Sequence, residues 1–155
     1  MILYHGSNTA IESIDLSKSK KYKDFGRAFY LSSEREQALK MAKAKTIQFG
    51  GDAVVTTFEY DDKACSNLSV MEFPHYSREW AEFVYNNRNE QQDFHHNYDI
   101  VFGPIANDYI GLQIRDLRRH RLTFEQFMEN ILYHKGETFQ YAFCTEAAIS
   151  ILKRL

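Results

Sequence analysis

Short strand-like runs and helical stretches follow one another along this chain in no regular order, and that irregularity does most to narrow the fold. Ile2-Leu3-Tyr4-His5 opens the chain as an apolar strand. The polar stretch from Ser17 to Lys23 then loops to a second strand around Tyr30. Ser33 and Glu36 have the spacing of a capping box and predict a helix to about Ile47, stopped by Gly50-Gly51. Ala53 to Tyr60 is β-branched and aromatic, a third strand. Ser77 caps a helix with Trp80, Phe83 and Val84 at helical spacing, and Tyr98 to Pro104 is a short buried strand ended by Gly-Pro. Thr123 and Gln126 form another capping box before a stripe of Phe124, Phe127, Met128, Ile131 and Leu132. Phe139 to Cys144 is a last strand, and Thr145 caps a final helix to Leu155. A regular βαβ repeat would build a doubly wound sheet; this order predicts an α+β domain.

Composition excludes several classes. At 155 residues the chain suits one domain with a real core. A formal net charge of −2 gives no global attraction to nucleic acid, and the basic stretch Arg115 to Arg121 reads as a solvated helix face. No apolar run is long enough to span a membrane. Met1 leads straight into the first strand, which predicts no signal peptide and a cytoplasmic setting, or delivery as an effector by a signal-independent route. Cys65 and Cys144 form no CxxC, and His95-His96 has no partner at ligand spacing, so no metal is expected. Walker A and Rossmann glycine fingerprints are absent. Aromatic residues make up 15% of the chain, enough to wall a pocket as well as fill a core.

Two segments carry chemistry. His5-Gly6-Ser7 ends a strand with an imidazole beside bare backbone N–H and C=O groups. Asp24-Phe25-Gly26-Arg27-Ala28-Phe29-Tyr30-Leu31-Ser32 sets a flat ring and a hydroxyl on a second strand. A planar base joined to a ribose would suit the pair. Singly, a Tyr in an apolar run is usually core, and a His near a strand end is usually a satisfied polar residue.

Taken together and in this order, the segments resemble the first two motifs of the ADP-ribosyltransferase superfamily, in the branch marked by His, then Tyr, then an acidic or amide residue. Ala28 stands where that branch commonly has a second glycine. Ser77 to Val84, Asn87-Arg88, Tyr98 to Asp108 and Gln140 to Ala148 also resemble a bacterial family known mainly as a domain of unknown function, itself similar to ADP-ribosyltransferases. The resemblance implies two small packed sheets with flanking helices and a central NAD cleft. It implies that NAD is the substrate. His5 would bond a ribose hydroxyl, the backbone of Gly6 would grip the nicotinamide amide beside Ser7, and Tyr30 would pack on the nicotinamide ring. Ser32 would add a hydroxyl, Met41 a second packing surface from the next helix, and Arg27 a cation near the pyrophosphate.

The third motif falls at Gln140, where the superfamily often has Glu. Breaking the nicotinamide–ribose bond builds positive charge on the ribose, and a carboxylate stabilises it. Gln140 can bond ribose hydroxyls but brings no charge, so restoring one with Gln140→Glu is expected to keep or raise NAD hydrolysis. The implied function is transfer of ADP-ribose to a macromolecular acceptor by His5, Tyr30 and Gln140, as a bacterial toxin or effector with a small neutralising antitoxin. The rivals are a non-catalytic nucleotide-binding module and a ribonuclease-like toxin using His5 and Tyr30, which the near-neutral charge disfavours. Glu137 and Glu146 are the fallback candidates for the third position.

Overall fold

The computed structural model describes residues 1–132 and 136–155, and of Leu132 the backbone alone. The chain is α+β. In order it forms β1 (Ile2–Ser7), β2 (Phe29–Leu31), α1 (Arg35–Phe49), β3 (Val54–Tyr60), β4 (Val70–Glu72), α2 (Arg78–Arg88), β5 (Ile100–Pro104), α3 (Asp108–Arg118), α4 (Phe124–Leu132), β6 (Phe139–Phe143), α5 (Glu146–Ile149) and β7 (Leu152–Arg154).

The strands make two small open sheets, one ordered β1-β3-β7 and the other β2-β6-β5-β4. Among the described residues, all pairings are antiparallel except β4 with β5. One antiparallel bridge, Tyr4 with Ser32, joins the sheets, with backbone bonds of 2.8 and 2.9 Å in both directions.

Strand alternation sorts the side chains into two cores. Phe29 and Leu31 of β2, Ile100 of β5 and Phe143 of β6 meet Leu3, Phe58 and Tyr60 between the sheets. Their neighbours Tyr30, Val101 and Ala142 face the other way, toward Trp80, Val84, Ile110, Ile114, Phe127 and Ile131 of α2, α3 and α4. Trp80 is fully buried and donates its indole N–H to the Pro104 carbonyl at 3.0 Å. Phe127 and Ile131 are buried as their helical stripe predicts, with Phe83 and Phe124 half-buried; the Leu132 side chain lies outside the described residues.

Two expectations change. α1 begins at Arg35 after Glu34 rather than from a Ser33–Glu36 box, and the Glu34 N–H goes to the Ser32 hydroxyl at 2.9 Å. The predicted final helix is one turn capped by Thr145; Leu152 to Arg154 then pair with β3, whose edge needs a partner more than the last residues need a helix. α3 covers much of the basic stretch read as a helix face, and Asn107 caps it through the Ile110 N–H. Among the described residues, no helix is long and apolar enough to cross a membrane.

Candidate functional site

β1 and β2 start as partners and then part. From the Tyr4–Ser32 bridge, the next antiparallel pair along the two edges would be Gly6 with Tyr30. That pair does not form. The Tyr30 carbonyl is instead 2.8 Å from Nδ1 of His5, and the Gly6 carbonyl accepts from Lys45 Nζ at 2.9 Å. The gap between the strands opens into a cleft of about 300 Å³, lined by His5, Gly6, Tyr30, Ser32, Met41 and Gln140 among others.

Gly6 lies where it does because α1 crosses β1 at this point. A Cβ on Gly6 would collide with the backbone carbonyl of Ala38, so no other residue leaves room for the helix. Alternation also fixes where the Gly6 backbone points. Tyr4 turns its N–H and C=O toward β2, and two residues on Gly6 turns its own out of the same edge, into the cleft.

His5 is half-buried and stacks on Phe29 with ring centroids 4.3 Å apart. A carbonyl only accepts, so the contact with Tyr30 requires Nδ1 to carry the proton and leaves Nε2 as a bare acceptor. Burial pulls the imidazole pKa down to about 4, against the Tyr30 carbonyl and with help from the charges of Lys45 and Lys23. His5 is therefore neutral at pH 7 and can accept a hydroxyl proton.

Tyr30 offers a ring but not its hydroxyl. The phenol donates to the Gly26 carbonyl at 2.7 Å and accepts from the Phe25 N–H at 3.0 Å. Burial raises its pKa well above the ordinary value. Gly26 adopts φ +83° to make this turn. Lys23, from the same loop, holds its ammonium 4.9 Å over the Tyr30 ring.

Gln140 lies on β6 beside Asp24, which sequence reasoning missed. Gln140 Nε2 donates to Asp24 Oδ2 at 3.0 Å, as does the Ala106 N–H at 3.0 Å, and Arg88 lies 3.4 Å from Oδ1. Burial pushes the Asp24 carboxyl above its usual range, opposed first by the charge of Arg88. Nothing local marks Asp24 in the sequence; the Gly26 turn and the Tyr30 hydroxyl carry it into the cleft. Lys45, on the far wall, was also missed as a polar group. Burial, with the charges of Lys23 and Lys20, lowers its pKa to about 8.

Other candidates fall elsewhere. Ser7 is buried with its hydroxyl near Asn8, and Arg27 lines a separate cavity of about 490 Å³ beside His95, His96 and Cys144, so neither reaches the cleft. The Ser32 hydroxyl lines the cleft but is committed to Gln37 and Glu34 at α1. Glu137 pairs with His75 and the Tyr76 N–H, and Glu146 is exposed in α5. In the second cavity His96 donates Nε2–H to the Phe25 carbonyl and accepts the Tyr98 N–H on Nδ1, while burial raises the Cys144 thiol to about 12. That pair makes no nucleophile.

A model of a family described as a protein of unknown function, DUF3990, matches residues 1–154. The chain belongs to that family. No curated protein matches it. Family membership therefore carries no chemistry of its own, and the function rests on the cleft.

Proposed function

We propose that the chain is an ADP-ribosyltransferase-like protein that takes NAD into the cleft, cuts the nicotinamide–ribose bond and passes ADP-ribose to a macromolecular acceptor. The observation that carries this reading is the parting of β1 and β2. It exposes backbone N–H and C=O groups at Gly6 to a carboxamide, beside a neutral His5 acceptor and the Tyr30 ring. These are the groups that a nicotinamide riboside needs, and they come from segments distant in sequence. A cleft of about 300 Å³ suits that half of the dinucleotide, at the lower end of small-molecule sites.

Each group has a task in this reading. His5 Nε2 accepts a ribose hydroxyl. Tyr30 packs on the nicotinamide once Lys23 swings off the ring, and Met41 closes the opposite side. Lys45 leaves the Gly6 carbonyl to the carboxamide and turns to the diphosphate, whose charge would raise its pKa again. Gln140 bonds ribose hydroxyls. The action as a bacterial toxin or effector, and a neutralising antitoxin, rest on the resemblance alone.

Incubation with NAD and measurement of free nicotinamide tests the reading. Release above the uncatalysed rate supports it. NAD binding by calorimetry without release would favour the nucleotide-binding module, a reading in keeping with the uncharged Gln140.

A further inference from the structure

Gln140 leaves the reaction without a negative charge, and the cleft holds a carboxyl group beside it. Among the described residues lining the cleft, Asp24 alone is acidic. Its side chain is 13% exposed, and that small opening faces the cleft. Its neighbours are donors and a cation: the Ala106 N–H and the Gln140 amide bond it, and the Arg88 guanidinium pairs with it at 3.4 Å. These donors favour its ionised form, against the burial that raises its pKa. The contact also orients Gln140, because an amide oxygen would repel the carboxylate; Nε2 turns to Asp24 and Oε1 lies at the other end of the amide.

We propose that Asp24 is the carboxylate of this site, meeting the ribose as its bond to nicotinamide breaks, while Gln140 holds the carboxylate in place and bonds the ribose hydroxyls. The proposal rests on the NAD-cleaving reading. The bond between ribose C1′ and the nicotinamide ring nitrogen breaks, and its electron pair stays on nitrogen and cancels the ring's positive charge. The ribose takes up that charge, which Asp24 stabilises. Water or the acceptor nucleophile then bonds to C1′ and releases a proton to solvent.

The charged and titratable groups around Asp24 come from several elements. Arg88 reaches it from α2, and Lys23 lies next to it in the chain. Tyr30 on β2 and Tyr76 before α2 also feel its charge, and both phenols stay neutral because their pKa values are raised. Arg88 NH1 is buried without a hydrogen bond among the described residues, which leaves its charge directed at Asp24.

The contact changes what Gln140→Glu does. A glutamate there sets two carboxylates about 3 Å apart, and such a pair holds on to one proton. The substitution then adds a proton that the pair gives up only at higher pH, rather than a clean gain of charge.

Three proteins are measured for NAD binding by calorimetry and for nicotinamide release across pH 5–9. Wild-type release tests the NAD-cleaving reading by itself; a wild type that binds NAD and releases nothing overturns that reading and the role of Asp24 with it. Given release, Asp24→Asn keeps the shape of the side chain, and it is expected to bind NAD within about three-fold of wild type while releasing nicotinamide about 100-fold more slowly. Release by Asp24→Asn at the wild-type rate overturns the role of Asp24 and leaves the reading standing. If circular dichroism shows that Asp24→Asn does not fold, Gln140→Glu decides. Its release is expected to change with pH at a higher pH than in wild type, because the paired carboxylates hold one proton longer, and a profile parallel to wild type overturns the proposal.

Discussion

His5 shows how much one side chain's surroundings dictate. Its imidazole is held by a carbonyl, stacked on Phe29 and set between the charges of Lys45 and Lys23, and burial keeps it neutral down to about pH 4. In the unfolded chain the same ring takes a proton at 6.5. The unfolded state therefore binds more protons between those values, and stability falls as pH drops through 6.5 toward 4. Between pH 7.5 and 5 the loss from this residue is about 2 kcal/mol. His96 shifts in the same direction, so the comparison is made against His5→Gln. Urea unfolding at the two pH values is expected to show a drop in wild type that is smaller in the variant by about that amount. Equal drops would mean that the ring is solvated and free to titrate.

At the scale of elements, β2 and the turn before it act as one unit. The Tyr30 hydroxyl closes the loop through Phe25 and Gly26, and that closure brings Asp24 to Gln140. Tyr30→Phe keeps the ring and removes both bonds, leaving the Phe25 N–H without its acceptor. A loss of about 1–3 kcal/mol in unfolding free energy is expected. In the NAD reading, affinity stays near wild type because the ring remains, while nicotinamide release falls because Asp24 loosens. Release and affinity both at wild-type levels would show that the loop holds without the hydroxyl. This division of labour explains what the sequence disclosed about the site. His5, Gly6 and Tyr30 could be read from their own segments, since a polar ring in a short apolar strand beside Gly or Ser is a local pattern. Asp24 could not, because its place depends on a hydroxyl and an amide on two other strands. Helix starts divide in the same way. Thr123 and Gln126 bond each other's N–H reciprocally, at 2.9 and 3.1 Å, as their spacing predicts. Ser33 and Glu36 share that spacing and do not; the helix there starts one residue later, after Glu34, whose N–H goes to the Ser32 hydroxyl.

At the scale of the molecule, the irregular order of short strands and helices was enough to predict α+β, and the apolar stripes of α2 and α4 were enough to predict the burial of Trp80, Val84, Phe127 and Ile131. The pairing of strands far apart in sequence was not. β7 joins β3 across most of the chain, and β2 finds its partner in β6; such contacts depend on which edges remain open after everything else has packed. The cleft is a product of that assembly. His5 belongs to the three-stranded sheet, Tyr30 and Gln140 to the four-stranded one, and Tyr4–Ser32 with the apolar layer between the sheets joins them. A ligand seated in the gap would tie the two sheets together and so oppose unfolding of the whole. At a free concentration 100 times its dissociation constant, a ligand that binds only the folded state adds about 2.7 kcal/mol. For a chain of this size that raises the melting temperature by roughly 5–10 °C. In the NAD reading the nicotinamide–ribose half fills the cleft, so nicotinamide riboside alone is expected to produce a rise, and His5→Gln to reduce it. A rise with adenosine diphosphate and none with nicotinamide riboside would place the dinucleotide's anchor outside the gap between β1 and β2, with the cavity beside Arg27 and His96 the next place to look.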